Sequence, residues 1–158
     1  MKNRIKVLLF VSVILNCVFF CSFLNGKETK IYTKIIKEEA PTMSEWDMFT
    51  MALMKVESEY DSTAVSSVGA KGYFQITPIY IEEVNRVHHT DYTMDDVYDL
   101  ESAHEIFDLM QKAHNKNYDM DKAMVLHNGD HKWYKKRVMD AYDDIKKYED
   151  IRNRLIKL

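Results

Sequence analysis

Glu57 is the residue best placed for acid–base chemistry. It follows Leu53 by four positions, in a stretch where Trp46, Phe49, Leu53 and Val56 recur at helical spacing. That spacing puts its carboxyl at the rim of an apolar helix face, near the helix end. A carboxyl there loses hydration, which disfavours the charged form and raises its pKa. A carboxylic acid still protonated near neutral pH can give its proton to a leaving-group oxygen such as that of a glycosidic bond. By helical position alone, a solvated surface glutamate is the better reading. The residues around Glu57 have to decide between the two.

Other titratable groups offer less. Asp61, four residues after Glu57, is placed for a second carboxylate of a hydrolytic pair, but it reads better as a turn aspartate. Glu82 and Glu83 fall on a solvated helix face. His88 and His89 are adjacent, so they cannot face one ion from one helix side. His127 and His131 are four apart, but Asn128-Gly129 breaks the helix between them. No metal site and no cofactor are expected.

The elements that must position Glu57 are mostly helices. Ser44 is an N-cap, with Asp47 in the place of the capping-box acid, and the first helix is expected to run to about Tyr60. Asp61 to Gly72 is turn-like, and Tyr73 to Ile76 is short and apolar. Thr77-Pro78 opens a second helix striped by Tyr80, Val84 and Val87. His88 to Asp99 is polar and irregular. A third helix follows from about Leu100 with Ala103, Phe107, Met110 and His114, and a short fourth begins at Ala123. Trp133 to Tyr148 is a fifth, with Val138, Tyr142, Ile145 and Tyr148 on one face. Alternating strand patterns are scarce, so the fold class is mainly α.

The N-terminus reads differently. Lys2, Arg4 and Lys6 precede an apolar run from Val7 to Leu24. A basic start before such a run is an export signal or a membrane anchor. An uncleaved signal-anchor over residues 7–24 is favoured over a cleaved signal ending near Gly26, with the rest of the chain outside the membrane. Both cysteines, Cys17 and Cys21, lie in this run, so the domain has no disulfide framework. Asn16 and Phe20 precede them, which does not fit lipidation. Residues 1–26 are thus signal or anchor, 27–43 a charged stalk, 44–150 the domain and 151–158 a tail. The net charge of -3 gives no basic excess for nucleic acid.

The string from Glu57 to Pro78 resembles the signature of lytic transglycosylase (SLT-type) domains. That signature runs Glu-Ser, a variable stretch, Ala-x-Ser, Gly-Ala-x-Gly, two apolar residues, Gln-Ile and a Pro. Here these are Glu57-Ser58, Ala64-Val65-Ser66, Gly69-Ala70-Lys71-Gly72, Tyr73-Phe74, Gln75-Ile76 and Pro78. Downstream, Ala123-Met124-Val125-Leu126-His127-Asn128-Gly129 resembles a segment that reads Tyr-Asn-Ala-Gly in the family. His127 stands at the tyrosine, and the alanine is missing. Asp99 to Ala103 matches a third family element poorly and reads as a helix start. The weaker likeness extends from Glu45 to Tyr142.

The resemblance implies a lysozyme-like single domain that cleaves peptidoglycan between N-acetylmuramic acid and N-acetylglucosamine. Glu57 is then the single acid/base, and a 1,6-anhydro sugar is the product. Ser66, Tyr73, Gln75, His127 and Asn128 are the implied substrate-binding residues. The partners are glycan strands and, through residues 7–24, the membrane; a small anchored chain also suits local wall opening by an envelope-spanning machine. The location is the cell envelope, on the outer side of the inner membrane. Two rivals remain: a lysozyme-type hydrolase on the same fold, and a non-catalytic peptidoglycan-binding protein.

Overall fold

A computed structural model describes residues 42–156. The signal-anchor and the stalk through residue 41 lie outside the described residues. The described residues divide into two compact units, one spanning Glu45–Ile145 and the other made of the described residues on either side of it. In the second, Glu149 accepts from Arg152 Nη1 at 2.6 Å and from the Met43 backbone N–H at 3.3 Å. Among the described residues, no helix is long and apolar enough to cross a membrane.

Five α-helices make up the framework of the described residues: α1 Glu45–Ser58, α2 Pro78–His88, α3 Leu100–His114, α4 Met120–Asn128 and α5 Lys132–Ile156. A 3-10 turn at Asp96–Tyr98 precedes α3. Mainly helical architecture is therefore what the sequence pattern dictates.

The first helix is more central than its stripe implied. Met48, Phe49, Thr50, Met51, Ala52, Leu53 and Met54 are all buried, whereas Val56 is only half-buried. A helix apolar all round its middle belongs inside a core rather than on its edge. No charged residue stands between Asp47 and Lys55, which permits that burial. Thr50, the one polar member, donates its hydroxyl to the Asp47 carbonyl at 2.9 Å. Glu45 and Asp47 in the first turn and Lys55 in the last complement the helix dipole.

Around α1 the other elements are pinned by local capping. Thr77 caps α2 by accepting from Tyr80 N–H, with Pro78 at the first helical position. Asn85 of α2 holds the irregular segment that follows: its amide donates to the Tyr92 carbonyl, and its oxygen accepts from Thr90 and from Tyr92 N–H. Asp99 caps α3 and Asp119 caps α4. The α3–α4 turn rests on buried Asn115, which donates to Gln111 and the Asp119 carbonyl and accepts from Asp119 N–H. Helices α2 and α3 run antiparallel, since His88 reaches the Leu109 carbonyl and His114 reaches Glu83. Phe74 stacks on Phe107 with centroids 4.8 Å apart, and Trp46 packs on both Phe49 and Phe107. This aromatic cluster is the part of the core on which the signature loop sits.

Candidate active site

Glu57 sits in the last turn of α1, which ends at Ser58 rather than near Tyr60. Glu59 and Tyr60 both turn left-handed, at φ 53° and 67°, and their N–H groups close on the Lys55 and Met54 carbonyls. Neither is glycine, so no sequence signal marked the stop. Gln75 also has positive φ, at 48°. His89 and Tyr118 are left-handed as well, so positive φ by itself does not single out this site.

The segment after the helix folds into a small knot of isolated antiparallel bridges, Val65 with Lys71 and Lys71 with Ile76. Ser58 ties the helix to this knot: its hydroxyl lies 2.9 Å from the Tyr73 carbonyl and 3.2 Å from the Met54 carbonyl. Ser58→Ala leaves the Tyr73 carbonyl without that donor and is expected to cost about 1 kcal/mol in a urea melt. Gln75 ties the knot from within, its amide N–H groups donating to Ala64 and Gly72 carbonyls at 3.2 and 3.0 Å. The Ser66 hydroxyl accepts from Ala70 N–H at 3.0 Å, the role of a turn serine. Phe74 is fully buried and Tyr73 half-buried, so the core takes one aromatic of the pair.

The Glu57 side chain is 12% exposed, and its Oε1 is approached from two helices. Tyr134 of α5 donates its hydroxyl to Oε1 at 2.5 Å. His127 of α4 brings Nε2 to 3.4 Å from the same oxygen, with its own side chain only 4% exposed. The imidazole lies edge-on between the rings of Tyr80 and Phe107, at 5.9 and 6.0 Å. Asn128 follows His127 at the end of α4, half-buried, where Gly129 N–H bonds the Val125 carbonyl.

These neighbours reverse the expected titration of Glu57. Burial is the largest single influence and pushes its carboxyl up. Hydrogen bonding to His127, the positive charge that imidazole carries when protonated, the Tyr134 bond and the Arg137 charge together outweigh it. The net direction is below the ordinary carboxylate value. Rim position alone argued for a raised value because it counted the lost water and not the donors that replace it. Burial and the Glu57 charge push the Tyr134 phenol upward, so it remains a neutral donor.

Of the residues singled out from the sequence, Glu57 and His127 come into direct contact. Ser66, Tyr73 and Gln75 share the adjoining knot. Asp61 is exposed and bound to its own turn, accepting from Thr63 N–H and Oγ1 at 2.8 and 2.7 Å. Tyr134 was missed. Its signal was available, because it precedes Val138 by four residues and extends the buried face of α5 by one turn. Among the described residues, no three His, Cys, Asp or Glu side chains gather as a metal ion would require.

The family model of the transglycosylase SLT domain matches residues 34–128. The chain belongs to the transglycosylase SLT domain family. No curated protein and no solved structure gives a significant match. The SLT match takes in α1, the bridged knot and helices α2 to α4, and it ends at Asn128. It therefore covers Glu57 and His127 but stops short of Tyr134. At family level the function is transglycosylase-type action on peptidoglycan, an activity of the cell envelope.

Proposed function

We propose that this SLT domain is a peptidoglycan lytic transglycosylase in which Glu57 is first acid and then base. The observation that carries the reading is a shielded carboxylate at the start of the family signature, one oxygen of which accepts from the Tyr134 hydroxyl and lies 3.4 Å from His127 Nε2. Its nearest sequence rival, Asp61, is exposed and committed to Thr63, which favours a mechanism built on one carboxyl group.

The reaction then runs in two proton transfers. Protonated Glu57 gives its proton to the oxygen between N-acetylmuramic acid and N-acetylglucosamine as the C1–O4 bond breaks. The substrate's N-acetyl group supports the cation at C1 in place of a second carboxylate. Glu57, now ionised, takes the proton of the muramyl 6-hydroxyl as O6 bonds to C1. The proton returns to Glu57 and no water is consumed. Asn128, Tyr73, Ser66 and Gln75 are assigned to the sugar-binding side. His127, buried against Glu57, is assigned behind the carboxylate.

Because Glu57 rests below the ordinary carboxylate value, the free enzyme holds little of the acid form at neutral pH. A glycan covering the site strengthens the burial that already pushes Glu57 up. The value of kcat/KM is therefore expected to rise as pH falls through the mildly acid range. A profile flat from about pH 4 to about pH 8 would contradict an acid role for Glu57. The test of function is release of soluble muropeptides from purified sacculi by the full-length protein in detergent. Folded protein that binds sacculi and releases nothing would be a binding protein instead.

Export with anchoring through residues 7–24 belongs to the same reading. Replacing Lys2, Arg4 and Lys6 with Glu should leave the domain protected from protease added outside spheroplasts. Unchanged cleavage would count against the anchor.

A further inference from the structure

Two side chains from different helices converge on one oxygen of Glu57, and the other oxygen, Oε2, makes no hydrogen bond among the described residues. We propose that Tyr134 and His127 are the positioning residues of this centre: by donating to Oε1 they fix it as an acceptor and reserve Oε2 for the proton exchanged with the sugar. The inference rests on Glu57 being the acid/base.

A protonated carboxyl has one hydroxyl oxygen and one carbonyl oxygen. A proton on Oε1 would point into the Tyr134 hydroxyl, 2.5 Å away. The phenol would have to turn round and accept, and its own proton would then need a new acceptor. Tyr134 is buried, and Glu57 is its hydrogen-bond partner among the described residues. Reversal would leave a buried donor unsatisfied. Tyr134 therefore donates to Oε1 in both protonation states of Glu57, and the acid proton sits on Oε2.

His127 reinforces the same asymmetry. Its Nδ1 is buried without a hydrogen-bond partner among the described residues. Nε2 is the ring nitrogen that faces Oε1, at 3.4 Å, so it is the one placed to donate there. The arrangement needs no reorganisation between the two proton transfers, which is what a preorganised site supplies. Tyr134 stands on α5, beyond residue 128 where the SLT match ends.

The groups facing Glu57 are His127 from α4 and Tyr134 and Arg137 from α5, with Tyr80 of α2 acting on Tyr134. Removing the Tyr134 donor weakens the ionised form, so Glu57 holds its proton to higher pH. Tyr134→Phe is expected to lower kcat on sacculi about 10²-fold with KM nearly unchanged. It should also move the alkaline limb of kcat/KM to higher pH. His127→Leu should act in the same direction, and His127→Gln, which restores an N–H donor, should recover part of the loss.

Substituting a fluorinated tyrosine at position 134 preserves packing and strengthens donation, so it should move the limb to lower pH. A titration of carbon-labelled Glu57 by NMR, without substrate, reads the same shifts independently of activity. A shift in that titration without turnover in the parent would overturn the catalytic reading and leave the hydrogen-bond assignment standing. Unshifted titration and unchanged kcat in Tyr134→Phe would overturn the proposal while leaving an active parent enzyme intact.

Discussion

Glu57→Gln is expected to lower kcat on sacculi by about 10³-fold or more and leave the fold in place. The amide matches the carboxyl in shape, and its oxygen still accepts from Tyr134. Its nitrogen cannot deliver a proton to the glycosidic oxygen or take one from the 6-hydroxyl, so both transfers fail together. A sign can be attached to stability as well. The Glu57 value lies below its ordinary position in the folded state. A depressed carboxyl stabilises the fold above its unfolded value, and that contribution is lost as pH falls through the folded value. The melting temperature of Glu57→Gln should therefore lie below the parent's at neutral pH, and the gap should close in acid. A mutant that keeps turnover, or a gap that widens in acid, would remove Glu57 from the centre.

Gly72→Ala is expected to cost about 3–5 kcal/mol, the largest stability loss of any single methyl added to the signature loop. A Cβ at Gly72 would sit 2.1 Å from the Val97 carbonyl oxygen and 2.9 Å from its carbon. Both contacts are backbone, so no rotamer change relieves them. The backbone there is left-handed, at φ +71°, which adds strain for any L side chain. Gly72 is where the bridged knot touches the 3-10 turn at Asp96–Tyr98. Separating those two would disturb the loop that carries Ser66 and Gln75. Gly69 is the control: its φ is +83°, and a Cβ there meets nothing within 4 Å. Gly69→Ala should cost only about 1 kcal/mol. Equal melting temperatures for the two variants would show that the Val97 contact is not what demands glycine at position 72.

The sequence carried the family and the helical class, because these depend on local spacing. Thr77-Pro78 marks α2, and Asn128-Gly129 marks the end of α4, since capping chemistry is written in adjacent residues. The start of α4 was missed by three positions: it begins at Met120 behind the cap Asp119, ahead of the apolar residues that drew attention to Ala123. What spacing could not reveal was which distant groups meet. Tyr134 is 77 residues from Glu57 in the chain, and only packing of α5 brings its hydroxyl to Oε1. For the same reason the direction of the Glu57 shift was misjudged: burial is visible in a helical stripe, but donors from other helices are not. The all-round burial of α1 is legible in its uncharged middle, of which the stripe of Trp46, Phe49, Leu53 and Val56 marks only one face.

The most direct test of the central claim is mass spectrometry of the products released from sacculi digested in heavy-oxygen water. Muramyl ends in the 1,6-anhydro form, lighter by one water and free of the heavy isotope, are the predicted result. Reducing muramyl ends carrying the heavy isotope would mean that water is the acceptor, contradicting the transglycosylase and making the protein a hydrolase on the same fold.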